Sequence, residues 1–211
     1  MHTLSHLFQA SQDPESNQLI ILLHGYGSNK EDLFSFAPHI HQKSHVVSLE
    51  APMPLSFGGN AWYSINFDQE KGKWSDVEEA KTQSKVLVEN ILYWKEKTQS
   101  QRILLMGFSQ GAIMSYATSF GNPDLIQGLV VMSGYLLDHW QDPIEMPKSF
   151  SVFASHGLSD NVIPIQWARD SVIAVGKKEI DITFTEYPEG HGVSQQNFQD
   201  LITWLTAKNW A

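Results

Sequence analysis

Ile103-Leu-Leu-Met-Gly-Phe-Ser-Gln-Gly111 is the stretch on which the reading of the fold turns. Ile103 to Met106 is an apolar run of strand length. From Gln110 a helical pattern runs to Gly121-Asn-Pro123, where glycine and proline stop it. Gly107-Phe-Ser109-Gln-Gly111 joins the two, so the serine falls in a sharp strand-to-helix turn with a strained backbone. Side chains two residues to either side of Ser109 would collide in such a turn. Glycine at both flanks removes the collision and lifts the hydroxyl clear of the sheet. Gly-x-Ser-x-Gly alone is only moderately specific; its place between a strand and a helix is what gives it weight.

Working outward, other apolar runs repeat the strand pattern: Leu19–Leu23, Val46–Leu49, Leu129–Met132 and Ser151–Ala154. Continuous runs of this kind belong to strands buried on both faces, as in a parallel sheet between helices. Asp181–Tyr187 alternates apolar and polar residues and suits a sheet edge. Ser75-Asp-Val-Glu78 reads as a capping box that opens a long helix, with Val77, Ala80, Leu87, Val88, Ile91 and Leu92 on its buried face. Further helices are expected over about Ile165 to Val175 and at the C-terminal end, where Phe198, Leu201, Ile202 and Leu205 share a face. Strands and helices alternate throughout, which predicts an α/β fold with a mostly parallel, doubly wound sheet flanked by helices. With no visible linker or repeat, residues 1–211 read as one domain with no separate cap. Residues 51–74 resist the pattern. This stretch, rich in proline, glycine and aromatics, reads as a long loop that either walls a binding site or covers the core with Trp62, Tyr63 and Phe67.

Composition narrows the chemistry. Fourteen Lys and Arg against 23 Asp and Glu leave a formal charge of −9, which argues against a dedicated nucleic-acid partner or an anionic membrane surface. No cysteine is present, which removes disulfides, thiol nucleophiles and zinc ribbons together. A chain of 211 residues should bury roughly 70% of its unfolded surface, enough for one core without staples. Neither a secretory leader nor a membrane-length apolar run is visible, so a cytoplasmic location with no stable membrane insertion is expected.

A serine hydroxyl needs a base, and the base needs an acid to orient it. In enzymes built on such an elbow both follow in the chain, acid before histidine. Three histidines lie downstream of Ser109. His191, in Glu189-Gly-His-Gly192 after the last expected strand, has small neighbours that leave its ring exposed and mobile. His139 sits in a polar, surface-like segment, and His156 ends a strand, where local packing is its expected role. Asp160, in the loop after the preceding strand, is the favoured acid. Asp138 and Asp142 compete, while Asp170 falls within a helix and Asp181 opens a strand. Asp160 could also serve only as a turn former. A tetrahedral intermediate requires preorganised N–H donors. The backbone N–H of Gln110 is one candidate. Tyr26, in Leu23-His-Gly-Tyr-Gly27 after an early strand, offers the second, with His24 fixing that loop.

These segments together resemble the phospholipase/carboxylesterase family of the α/β-hydrolases, which includes small bacterial carboxylesterases and acyl-protein thioesterases. The matching stretches are Leu23-His-Gly-Tyr-Gly27, Gly58-Gly-Asn-Ala-Trp-Tyr63, Gly107-Phe-Ser-Gln-Gly-Ala112, Ser155-His-Gly-Leu-Ser-Asp160 with Ile163-Pro164, and Gly190-His-Gly192. The resemblance implies a Ser109–Asp160–His191 triad, oxyanion donors at Tyr26 and Gln110, and substrate contacts at Trp62, Tyr63 and Val162. It implies hydrolysis of a small ester or thioester by a monomer or homodimer, with no metal and no cofactor. Tyr26 and Ser28 stand where the thioesterase branch usually carries leucine and aspartate, which tilts the resemblance towards carboxylesterases.

Overall fold

The computed structural model describes residues 3–68, 72–137, 146–177 and 180–211, with backbone alone for 66–68 and 72–74. The expected strands are present as β2 (Gln18–Leu23), β3 (His45–Leu49), β8 (Arg102–Phe108), β9 (Gly128–Met132), β10 (Ser151–Gly157) and β11 (Asp181–Tyr187). A seventh, β1 (His6–Gln9), joins them in the order β1-β3-β2-β8-β9-β10-β11. Only β1 runs antiparallel, against β3; every other pairing is parallel. β11 lies at an edge, as its alternation predicts. β1 is too short and too polar to stand out in the sequence, and its place follows from pairing with β3.

Alternate residues of the central strands feed two apolar layers. Leu19, Ile21 and Leu23 of β2 pack with Ile103, Leu105 and Val131 on one face, beneath α3 (Val77–Lys97), α4 (Gln110–Gly121) and α5 (Ile165–Gly176). Ile20 and Leu22 pack with Leu104, Met106 and Val130 on the other, beneath the short helices α1 (Glu31–Phe34) and α2 (Ala37–Ile40) and beneath α6 (Gln195–Ala207). These β2 residues are fully buried, each contributing about 1.5–3 kcal/mol of transfer free energy. The two-sided burial explains why their apolar runs are unbroken.

Two local expectations change. The N-cap of α3 is Asp76, whose carboxylate accepts the Glu79 N–H at 3.0 Å, so the cap falls one residue beyond Ser75. Glu79 in turn accepts the N–H of Ser64, tying the helix to the preceding segment. The buried face of α3 includes Trp94, whereas Leu92 is exposed. Residues 51–74 are not a plain loop. They hold two small antiparallel hairpins, β4 (Met53–Pro54) with β5 (Asn60–Ala61), and β6 (Ile65–Asp68) with β7 (Gly72–Ser75).

Candidate active site

Ser109 has φ 54° and ψ −118°, the only residue between β8 and α4. A conformation this rare for a non-glycine residue costs on the order of 1–3 kcal/mol. Its surroundings hold it there. Its N–H donates to the Met132 carbonyl at 2.9 Å, and its own carbonyl accepts from Ala112 and Ile113. The flanking glycines are required by close approach. A Cβ on Gly107 would lie 2.3 Å from the Gly111 backbone, and one on Gly111 would lie 1.9 Å from the Leu23 carbonyl oxygen.

Asp160 follows β10 and His191 follows β11, so both sit with Ser109 at the C-terminal ends of the strands. There the crevice of an open α/β sheet lies. The Ser109 hydroxyl is 2.9 Å from His191 Nε2, and His191 Nδ1 is 2.7 Å from Asp160 Oδ2. The carboxylate can only accept, so Nδ1 carries the proton and Nε2 is the acceptor for the serine. The Asp160 side chain is fully buried. Burial works against its charge, yet the His191 hydrogen bond and the N–H groups of Ile163 and Val162 outweigh it, holding the carboxyl below the usual aspartate range. His156 packs inside as expected: Nε2 donates to the Ile163 carbonyl at 2.9 Å and lies 3.3 Å from Asp160 Oδ2. Asp138, His139 and Asp142 lie outside the described residues.

The acid and histidine loops are joined by main chain. Leu158 N–H donates to Tyr187 and Ser159 N–H to Glu189. Gly157 permits this, because a Cβ there would lie 2.2 Å from the Gly190 oxygen.

Tyr26 lies in the loop after β2. That loop is pinned to β5 by Gly27 N–H to Asn60 O at 2.9 Å and by Asn60 N–H to Ser28 O at 2.8 Å. His24 is buried beneath it. Its Nδ1 donates to Gly25 O, and its Nε2 accepts the Ala51 N–H at 3.0 Å. Desolvation pushes the His24 imidazole below its ordinary pKa, which suits a ring that must keep a lone pair.

A cleft of about 170 Å³ opens beside Ser109 and His191. Tyr26, Gln110, Tyr63 and Val162 are among the residues that line it. Trp62 does not line it. It is fully buried behind the cleft, with Nε1 donating to His24 O at 2.9 Å and its ring against the imidazole. Tyr63 is equally buried and packs in the same apolar layer, but its side chain reaches the cleft wall. The sequence reading missed Ile65, Ser75, Ile113, Tyr135 and Trp167, which complete the lining together with Ile163. Ser75 had a signal, but one that pointed to a helix cap; Tyr135 had none. Among the described residues no group of three or more histidines and acids is placed to hold a metal ion, and no helix is long and apolar enough to cross a membrane.

A doubly wound, mostly parallel sheet with a strained serine elbow at its centre defines an α/β-hydrolase fold. Within that class the chain belongs to the phospholipase/carboxylesterase family, whose profile matches residues 5–209. It is 28% identical to the acyl-protein thioesterase 1 of Kluyveromyces lactis over 216 residues, covering 93% of this chain and 94% of that one. It is 25% identical to esterase YpfH of Escherichia coli, over 95% of this chain and 87% of the relative. The solved structure of esterase PE8 superposes with a TM-score of 0.87 over 98% of this chain and 99% of that one at 23% identity, which bears on the fold. Family membership makes the protein a hydrolase of the esterase and thioesterase kind.

Proposed function

We propose that the protein is a serine carboxylesterase that cleaves esters with short-to-medium acyl groups through an acyl-enzyme. The observation that carries this reading is the continuous hydrogen-bonded line from Ser109 Oγ through His191 to the buried Asp160 carboxylate, at 2.9 and 2.7 Å. His191 Nε2 takes the serine proton as Oγ attacks the ester carbonyl. The oxyanion is held by the backbone N–H groups of Gln110, the first residue of α4, and of Tyr26. His191 then protonates the departing alcohol. Water, deprotonated by the same ring, attacks the acyl-enzyme and releases the acid, restoring Ser109. Asp160 holds the imidazole in the Nδ1–H tautomer and offsets the positive charge it gains. No cofactor enters this scheme. The cleft is small, about 170 Å³, which supports a small substrate.

A thioesterase reading has support in the name of the Kluyveromyces lactis relative. The same machinery would expel a thiol instead of an alcohol. The deciding experiment measures kcat/KM for matched oxygen esters and thioesters of one acyl series, with Ser109→Ala as the control. A profile favouring oxygen esters supports the carboxylesterase reading. Turnover by Ser109→Ala at the wild-type rate would overturn the serine mechanism altogether. Size-exclusion chromatography decides between the monomer and the homodimer.

A further inference from the structure

The cleft beside Ser109 is not built as a plain hydrocarbon slot. Ile65, Ile113, Ile163 and Trp167 supply apolar walls, but three hydroxyls stand among them. Tyr63 Oη lies 3.1 Å from Ser75 Oγ, which lies 2.9 Å from Tyr135 Oη. The three come from separate segments: Tyr63 before β6, Ser75 at the end of β7, and Tyr135 after β9. A hydroxyl oxygen has three hydrogen-bonding positions, one donor and two acceptors. Ser75 uses two of them on the tyrosines, which leaves a third for whatever fills the cleft. Burial pushes the Tyr63 phenol far above its ordinary pKa, so its hydroxyl stays neutral.

A purely alkyl group entering this cleft would leave the third position of the Ser75 hydroxyl without a hydrogen bond, and a dry polar group is costly. A site that hydrogen-bonds a substrate oxygen also rejects the analogue lacking it far more strongly than an apolar pocket rejects one methylene. Phenylalanine at 63 and 135 with alanine at 75 would line an alkyl slot without that cost.

We propose that the cleft takes a short substrate chain carrying its own hydroxyl or keto oxygen, read by the Tyr63–Ser75–Tyr135 ladder with Ser75 as the specificity-determining residue. The proposal rests on the serine-hydrolase reading above and names the substrate class of that site. The oxygen could belong to the acyl part or to the alcohol part, and two substrate arms separate these sources.

The experiment compares kcat/KM for ethyl 3-hydroxybutanoate and ethyl 3-oxobutanoate with ethyl butanoate, and for 2-hydroxyethyl butanoate with propyl butanoate. Wild type, Ser75→Ala and Tyr63→Phe are each measured. Ratios within one variant are independent of how much of it is folded, and two variants keep the test open if one fails to fold. The expected result is a preference of about tenfold or more for the oxygen-bearing ester in one arm, reduced to about twofold or less in either variant. An enzyme that depends on Ser109 but favours the hydrocarbon esters in both arms overturns this proposal and leaves the hydrolase reading standing. So does a preference that survives in both variants, or a fall in melting temperature with the ratios unchanged, which would make the ladder a structural tie. A wild type inactive on every ester would instead overturn the hydrolase reading.

Discussion

The side-chain amide of Gln110 donates to the Tyr63 carbonyl at 2.7 Å, while its oxygen accepts the Trp62 N–H at 2.9 Å. One buried carboxamide thus stands in for a strand partner, joining the start of the helix after the serine to the segment that walls the cleft. Gln110→Met keeps the backbone N–H and the side-chain length but leaves a buried N–H and a buried carbonyl without partners. The expected cost is about 2 kcal/mol, or a fall of roughly 4–8 °C in melting temperature for a chain of this size. Calorimetry checks this. If Gln110 does position the cleft wall, KM should rise as well.

Asp160→Asn should retain the fold and lose the chemistry. Asparagine can still accept the N–H groups of Val162 and Ile163, which Asp160 Oδ1 takes at 2.8 and 2.9 Å. Its NH₂ would face His191 Nδ1 and favour the tautomer whose Nε2 carries a proton, which cannot accept from Ser109. A loss of about four orders of magnitude in kcat is expected, with a melting temperature close to wild type. A phosphonate probe of the active serine should label the variant correspondingly slowly.

Gly111→Ala should destabilise the protein severely. The new Cβ would lie 1.9 Å from the Leu23 carbonyl oxygen and 2.6 Å from that of His24. Those are backbone atoms of a central strand and of the loop after it, so neither side can yield cheaply. The expected loss is about 4 kcal/mol or more, read as the shift in urea midpoint at constant slope.

Stability should fall as the solution is acidified through the histidine range. Desolvation lowers the pKa of His24 and of His45 in the folded protein. Below about pH 6.5 the unfolded chain therefore binds protons that the folded chain refuses, and stability decreases with falling pH. Protonation of His24 Nε2 would also set a proton against the Ala51 N–H. Urea midpoints measured between pH 7.5 and pH 5 should show the decline. His24→Asn should flatten it without abolishing it, because His45 remains.

How much was legible follows from the range of the forces involved. The central strands show in the sequence because burial on both faces leaves them unbroken apolar runs. The elbow shows because two glycines answer a steric demand that arises within five residues. Asp160 and His191 are placed by their position after strands, and the structure brings both within hydrogen-bonding distance of the line from Ser109. β1 was missed because a short edge strand is defined by the strand it joins. Ser75 and Asp76 are both competent caps, and the structure chose Asp76, which left the Ser75 hydroxyl to the two tyrosines.

By itself the sequence determined the layered sheet, the strained serine and the order of its partners, because each rests on local periodicity or local sterics. Only the tertiary structure decided which way residues 62 and 63 face, placing Trp62 behind the cleft against His24 and Tyr63 in its wall. Only it could bring Tyr63, Ser75 and Tyr135 together. Ser75 lies 12 residues from Tyr63 and 60 from Tyr135 in the chain, and no pattern within a single segment encodes those contacts.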